Sequence, residues 1–300
     1  MASPDTHHAT DPVVEMVSLD DIDEHVTRRR RFDIPFTLAV LWFGMVVFVA
    51  IFADLLPIIA PTALDGTAGR AGPSAAHWLG ADGLGRDMLS RIIYGARTSL
   101  TVGVVATFLS GFIGLVIGLL AGYFRGFSET LSMGAMDILL SFPALVLAIA
   151  LAAVLGTGTG NVIIAIAILA LPAFARIARA ETLAYADREF VKAARSLGAK
   201  HTRILLHEIS PNILPTVVAF AFVIVAVAIV VEASLSFLGL GVPPDVPTWG
   251  GMISHGRSVL DAHPHISMFP ATVLFLTVLA LNTIGDKLRH RDDLRGGIQA

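Results

Sequence analysis

Residues 192–211 read KAARSLGAKHTRILLHEISP and lie between two long apolar runs of the chain. The stretch is rich in basic residues, so it belongs in water or at an interface rather than in the hydrocarbon core of a bilayer. Gly198 stands where a helix end favours a left-handed residue, and Pro211 cannot continue a fully hydrogen-bonded helix. We therefore predict two short helices in the connection 179–212, the second from about Lys200 to Ile209.

The first of these short helices has a mixed surface. Asp187 is of a type that caps helix N-termini, and it precedes the predicted first turn. An apolar face at helical spacing is expected from Phe190, Ala193, Ala194 and Leu197. A pair of helices too short to span and apolar on one side must bury that side against another surface. We favour a partner protein, and anionic lipid headgroups are the alternative, because basic residues suit both.

The rest of the chain is a series of apolar runs. Of the 300 residues, 55% are hydrophobic and 15% are charged, and the mean hydropathy is +0.74. About six runs approach the roughly 20 residues that a helix needs to cross the hydrocarbon core. They are Phe36 to Leu56, Thr98 to Tyr123, Leu131 to Leu155, Val162 to Ile177, Ile213 to Leu238 and Ile266 to Ile284. The sequence therefore predicts an all-α membrane protein with about six transmembrane helices.

The positive charges predict how these spans are oriented. Of the 21 Lys and Arg residues, only five fall in connections that a six-span chain with an inside N-terminus places outside. These five are Arg70, Arg86, Arg91, Arg97 and Arg257. Because cytoplasmic loops are enriched in Lys and Arg, both termini and the connection 179–212 are predicted to be cytoplasmic. The net charge of -3 offers no basic surface for nucleic acid.

This topology divides the chain into a membrane domain and two tails. Residues 1–31 are acidic and polar, and they are expected to form a disordered cytoplasmic tail. Residues 32–286 hold the spans, and residues 287–300 form a second cytoplasmic tail. The outside connections are predicted at about residues 57–97 and 239–265.

Each outside connection has a predicted structure of its own. An amphipathic helix is predicted in the first from the spacing of Leu84, Met88, Ile92 and Ala96. We favour a structural plug packed on the bundle, and a helix lying at the membrane interface is the alternative. The second is rich in Gly and Pro and is expected to be irregular. Its Trp249 is of the type that anchors chains at a membrane interface.

Five blocks of the sequence resemble one family of transport proteins. They are HWLGADGLGRDMLSRIIYGAR (77–97), GYFRGF (122–127), MDILLSFPALVLAIAL (136–151), EASLSFLGLGVPP (232–244) and PTWGGMI (247–253). In this order they are similar to the second membrane subunit of ABC-type oligopeptide and dipeptide importers. The stretch 192–211 also resembles the cytoplasmic loop of such permeases, which is Glu-Ala-Ala, three residues, Gly, nine residues and Ile-x-Leu-Pro. The resemblance implies the type I ABC importer permease fold.

The resemblance also implies a role for the cytoplasmic loop and a set of partners. In the family the helix pair inserts into a cleft on an ATPase. The matching coupling residues are Ala193, Ala194, Gly198 and Pro211, with Lys192 where the family has Glu. That replacement leaves open whether a partner carboxylate compensates. The implied partners are a sister permease, two cytoplasmic ATP-binding subunits or one fused chain, an extracytoplasmic peptide-binding protein, and the lipid of a bacterial cell membrane.

No catalytic motif stands out in the chain itself. It lacks a GxxxxGK[ST] loop to cradle phosphates, so ATP and Mg are expected on partner subunits and no cofactor on this chain. It has no Cys, and His207-Glu208 begins like HExxH but has Pro211 where the second His should stand. We therefore expect a subunit that is not an enzyme and has neither catalytic nor metal-binding residues.

Two ionisable residues fall within the apolar runs, Asp137 in the third and Glu232 near the outer end of the fifth. Such residues are costly in lipid and are functional candidates. We favour a structural role, in which each pairs with a helix terminus or with an Arg such as Arg97 or Arg176. Contact of Glu232 with the amine of a peptide is the alternative. Close helix packing is predicted from the four-residue spacing of Gly114, Gly118 and Gly122.

Two other functions remain open on the sequence alone. Import of nickel or a metal chelate is one, because His255, His263 and His265 in the last outside connection could touch a metal. An ion-coupled secondary transporter is the other, although it would give the cytoplasmic helix pair no task and we find no convincing inverted repeat. The cargo itself follows from the resemblance and not from the residue pattern.

Overall fold

The computed structural model describes residues 33–296, and this part of the chain is helical apart from loops and one isolated bridge between Ala81 and Asp87. The helices are α1 (Ile34–Ile51), α2 (Met88–Phe124), α3 (Gly126–Leu140), α4 (Ala144–Leu155), α5 (Thr159–Ala186), α6 (Glu189–Ser196), α7 (His201–Phe237), α8 (Trp249–Gly256) and α9 (His265–Gly296). The predicted tail 1–31 lies outside the described residues. The predicted tail 287–300 begins inside α9, which runs to Gly296.

The helices confirm the prediction of about six spans. Within residues 33–296, five helices are long and apolar enough to cross a membrane. They are α1, α2, α5, α7 and α9. The consecutive helices α3 and α4 make a sixth span if the bent pair is counted as one. Large apolar side chains such as Leu41, Phe112 and Phe275 remain exposed on the bundle, as expected for a surface that faces lipid or another membrane subunit.

The third span is broken, which corrects the prediction of one run from Leu131 to Leu155. Helices α3 and α4 meet at an angle of 90° around Ser141, Phe142 and Pro143. Proline has no N–H to donate and disfavours a helical conformation in the residue before it, so α3 ends and α4 starts afresh. Hydrophobicity alone could not reveal the break, because the apolar pattern continues through it.

The predicted amphipathic helix and the second span are one continuous helix, α2, of 37 residues. Asp87 caps it by accepting a hydrogen bond from the Ser90 N–H at 2.8 Å. Met88 and Ile92 are buried, whereas Leu84 precedes the helix and is 60% exposed. The favoured packing on the bundle is therefore confirmed for Met88, Ile92 and Ala96. The alternative of a separate helix at the membrane interface is wrong, because this apolar stripe is the start of a core-facing helix.

Helices α2 and α5 form the central contact of the bundle. A β-carbon on Gly118 would lie 2.5 Å from the Ala178 Cβ and 2.6 Å from the Ala175 carbonyl oxygen. Gly114 and Gly122 meet α5 with similarly short distances. The predicted packing role of these glycines is confirmed. Helix α5 itself runs well beyond the predicted Val162 to Ile177, through the buried Pro172 to Ala186.

The two ends of the described chain lie together. Lys287 in α9 forms an ion pair with Asp33, which directly precedes α1. Both positions are on the side predicted to be cytoplasmic, which we call the inner end. The opposite end, with the loop before α2 and the segment around α8, is called the outer end.

Candidate functional site

The candidate coupling site is the helix pair at the inner end, formed by α6 and the first turns of α7. Gly198 follows α6 with a φ of 80°, as its predicted left-handed conformation requires. The Gly198 N–H donates to the Arg195 carbonyl at 3.0 Å, and the Ala199 N–H donates to the Ala194 carbonyl at 3.1 Å. These two bonds are those of a Schellman motif, so the turn between the two helices has one defined shape.

The inner face of this pair is anchored to the bundle. Val191 of α6 is fully buried, as are Ile204 and Ile209 of α7. They belong to one apolar cluster with Leu119, Tyr123 and Ala186 from the ends of α2 and α5. The Tyr123 hydroxyl also lies 2.8 Å from the His201 Nδ1, and the Arg195 guanidinium lies over the Tyr123 ring at 5.6 Å. The pair therefore cannot shift without displacing the spans beneath it.

The outer face of α6 carries apolar side chains with nothing packed on them. Phe190 is 40% exposed, Leu197 is 89% exposed, and Ala193 between them is exposed as well. We call these three residues the docking strip. Ala194, predicted on the same face, is instead half-buried against the bundle. Lys192 is exposed beside the strip.

Two features of the pair differ from prediction. Asp187 does not cap α6; its carboxylate accepts a hydrogen bond from Arg125 at 2.7 Å, and Arg188 occupies the cap position without a side-chain bond. The Arg125 guanidinium holds the pKa of Asp187 below its ordinary value, so this carboxylate stays charged at neutral pH. The ion pair between Arg125 and Asp187 links the end of α2 to the end of α5, next to the start of α6.

Contrary to the prediction, Pro211 does not end a short helix. A π-helical turn occupies Ile204–Ile209, and the Ser210 N–H donates to the Leu205 carbonyl. The wider turn accommodates the proline, which lacks an N–H, and the helix continues. Helix α7 therefore runs without interruption from His201 to Phe237. The first turns of α7, which belong to the candidate coupling site, and the fifth span are therefore parts of one continuous helix.

Asp137 lies against α5 and not in the apolar core of the described chain. Its carboxylate is 2.6 Å from the Arg176 guanidinium, one of the two predicted partners, and both side chains are more than half exposed. Nearby, Arg179 pairs with Glu129. The two ion pairs tie α3 to α5 toward the inner end. The predicted pairing of Asp137 with an Arg is therefore observed.

Glu232 is fully buried in α7 and has a different set of partners from those predicted. Its carboxylate accepts hydrogen bonds from the Ser99 hydroxyl at 2.9 Å and the Ser236 hydroxyl at 2.7 Å. Arg97, considered as its partner, pairs with Asp54 at 2.8 Å instead. Among the described residues no cation forms an ion pair with Glu232. Contact with a substrate amine does not occur in this conformation, because the side chain is 0% exposed.

The second outside connection is ordered around a helix and not irregular as expected. Thr248 caps α8 by accepting a hydrogen bond from the Gly251 N–H at 3.0 Å. Trp249 is no interface anchor, since it is 0% exposed and its indole N–H donates to the Ile92 carbonyl at 3.1 Å. The signal that could have revealed this helix is the Thr248 cap directly before the apolar WGGMI residues.

The outer end also holds two cavities, of about 240 and 410 Å³, which share Pro244 and His255. Arg91 lines the smaller, and Arg86 and Asp245 line the larger. His255 bonds its own helix through the Gly251 carbonyl at 2.6 Å. In the part of the chain that the structure describes, no three His, Cys, Asp or Glu residues are arranged to hold a metal ion. The geometry thus gives the metal-import alternative no support.

Comparison with known proteins identifies the family to which this chain is similar. Residues 114–291 match the family described as binding-protein-dependent transport system inner membrane component. The glutathione transport system permease protein GsiD of Pectobacterium atrosepticum is 42% identical over 85% of both chains. GsiD of Escherichia coli O1:K1 is 46% identical over 85% of this chain and 84% of its own.

Solved structures give the same fold. Two crystal forms of the MetNI methionine ABC transporter in inward-facing conformations match with TM-scores of 0.57 and 0.59. They cover 68% of this chain and 97% of the matched chain, at 18% and 19% sequence identity. This likeness confirms the type I ABC importer permease fold. The chain belongs to the family of binding-protein-dependent transport system inner membrane components.

Proposed function

We propose that the chain is the permease subunit of an ATP-driven importer of small peptides, with glutathione-like tripeptides as the first candidates. The docking strip carries this proposal, because an anchored helix with an exposed apolar face is built to receive a second protein. The cargo class is supported by the 42 to 46% identity to glutathione permeases along most of the chain. The sequence lacks a phosphate-cradling loop, so ATP and Mg belong on partner subunits.

The proposed assembly has the partners that such a permease requires. A sister permease completes the translocation pathway, and two ATP-binding subunits, or one fused chain, hold the docking strips from the cytoplasm. An extracytoplasmic binding protein delivers the peptide to the outer end. Lys192 beside the docking strip favours a carboxylate on the ATP-binding subunit at that point, because an exposed ammonium gains from an opposite charge as the interface excludes water.

The proposed mechanism follows from the mechanical continuity of the helix pair with the bundle. When ATP closes the partner ATPases, the docking strip moves with them. Val191 and Ile204 transmit this movement to the ends of α2 and α5, and α7 carries it along its whole length. The bundle then switches between two packings, since closely packed helices exchange discrete arrangements rather than deform continuously.

Uptake by the reconstituted complex tests the cargo. The complete complex in proteoliposomes is expected to accumulate labelled glutathione with ATP and binding protein present, and to accumulate little when either is omitted. A matched liposome with labelled methionine controls for general leakage. ATP-dependent transport of methionine but not of any di- or tripeptide would refute the peptide assignment, while leaving the permease assignment intact.

A further inference from the structure

The carboxylate of Glu232 binds hydroxyl groups from two spans at the outer end. Ser99 of α2 and Ser236 of α7 donate to its two oxygens at 2.9 and 2.7 Å. All three residues are buried. One carboxylate therefore joins α2 and α7 through hydrogen bonds.

Each of these hydroxyls also accepts a backbone N–H from the outer segment. The Trp249 N–H points to Ser99 at 3.5 Å, and the Val242 N–H points to Ser236 at 3.4 Å. A hydroxyl has a single proton, so the proton of each goes to Glu232 while its lone pair receives the backbone. Two backbone amides are thus held through Glu232.

The segment bound in this way is packed directly on the spans. We call residues 239–259 the outer cap. A β-carbon on Gly250 would lie 2.5 Å from the Ala233 carbonyl oxygen, so α8 touches the backbone of α7. The Ser254 hydroxyl donates to the Phe237 carbonyl at 2.8 Å. The cap can leave this position only if the Trp249 and Val242 amides part from the two serine hydroxyls that Glu232 orients.

Glu232 acts on the cap indirectly, through the Ser99 and Ser236 hydroxyls. Each hydroxyl turns its lone pair to a cap amide only while Glu232 takes its proton. The Trp249 amide belongs to the first turn of α8, where the helix dipole is positive. If Glu232 moves away from Ser99, that hydroxyl turns toward a new acceptor and the Trp249 amide loses its partner.

We propose that Glu232 is a positioning residue that latches the outer cap over the pathway in the closed-outside state. The inference rests on the proposed permease function. Helix α7 begins at its inner end with His201, in the candidate coupling site. Glu232 lies 31 residues after His201 in the same helix, about 46 Å away at 1.5 Å per residue. The helix that receives the movement of the ATPase therefore also carries the latch residue. Its displacement pulls the carboxylate away from Ser99 and releases the cap.

Cysteine labelling tests the latch, because the chain has no Cys of its own. Met252→Cys places a thiol on the buried face of α8, and Ser258→Cys places one on the exposed outer surface. In the full complex without ATP, Glu232→Ala is expected to raise the labelling rate of Met252→Cys by a membrane-impermeant maleimide about tenfold, as for the loss of one buried hydrogen bond. Ser99→Ala is expected to act in the same direction, and the rate at Ser258→Cys should stay constant.

Controls separate this result from misfolding and from failure of the proposed function. Ser110→Ala removes an equally buried hydroxyl on α2 that bonds only its own helix, and it should leave the labelling unchanged. Glu232→Gln keeps the side-chain shape if the alanine variant does not assemble. Unchanged labelling in Glu232→Ala, Glu232→Gln and Ser99→Ala would overturn the latch. The assay needs neither cargo nor ATP hydrolysis, so a wrong cargo assignment would not affect it.

Discussion

Replacement of Gly118 by alanine is expected to destabilise the membrane bundle strongly for the addition of a single methyl group. The new Cβ would lie 2.5 Å from the Ala178 Cβ, 2.6 Å from the Ala175 carbonyl oxygen and 2.7 Å from the Arg179 nitrogen. Two of these neighbours are backbone atoms, which cannot swing aside. Helices α2 and α5 must move apart, and overpacking of this kind costs about 1 to 3 kcal/mol.

Gly111→Ala is the matched control for Gly118→Ala. It adds the same methyl to the same helix, but its nearest neighbours are Phe174 ring carbons at 3.5 Å, an ordinary contact distance. Thermal unfolding of the purified chain in mild detergent measures both variants. We expect Gly118→Ala to lower the melting temperature clearly and Gly111→Ala to leave it near that of the wild type. Equal melting temperatures for the two variants would contradict the observed packing of α2 on α5.

Substitution of Gly198 is expected to abolish coupled transport while leaving the chain inserted in the membrane. Its φ of 80° is in the left-handed region, where an L-residue costs roughly 1 to 2 kcal/mol and a β-branched one costs more. Space is not the obstacle, because a Cβ added to Gly198 would meet no neighbouring atom within 4 Å. Relief of the strain turns α6 relative to α7 and misplaces the docking strip, so Gly198→Val should lose most ATP-dependent uptake.

Gly134 offers a control that isolates backbone strain from side-chain size. It lies within α3, also has open space around an added Cβ, and has no left-handed φ. Gly134→Val should therefore leave uptake close to wild type, apart from the modest cost of a valine in a helix. ATP hydrolysis by the Gly198→Val complex should become insensitive to binding protein and peptide. Full peptide-stimulated uptake by that variant would show that the turn is not part of the coupling.

The number of membrane spans and their helical type could be predicted from the sequence, because six apolar runs of about membrane length allow little else. The positions where a helix breaks within a span could not be predicted. Pro143 lies at the break between two helices of one span, whereas Pro211 follows a π-helical turn and the helix continues through it. The apolar pattern around the two prolines does not distinguish these outcomes. What decides between them is the fit of neighbouring helices, which a local pattern does not contain.

The same limit applies to the candidate sites. The left-handed Gly198 follows from local spacing, and its turn was predicted correctly. The partners of Glu232 were not, because Ser99 lies 133 positions away and only the fold brings it near. Phe190 and Leu197 were predicted on one apolar face, but their exposure shows that this face points away from the bundle. The orientation of α6 follows from Val191, whose side chain is fully buried against the bundle while Phe190 and Leu197 are exposed.

Co-purification with the ATP-binding subunits tests the central claim most directly. Full burial of a leucine side chain contributes about 1.5 to 3 kcal/mol, so removing Leu197 from the docking strip should weaken docking about tenfold or more. We predict that ATP-binding subunits co-elute with the wild-type chain and with Ser196→Asp, which adds the same charge at an exposed position beside the strip, but are largely lost from Leu197→Asp. Undiminished co-elution with Leu197→Asp, or a stable chain without any ATP-binding subunit, would contradict the account.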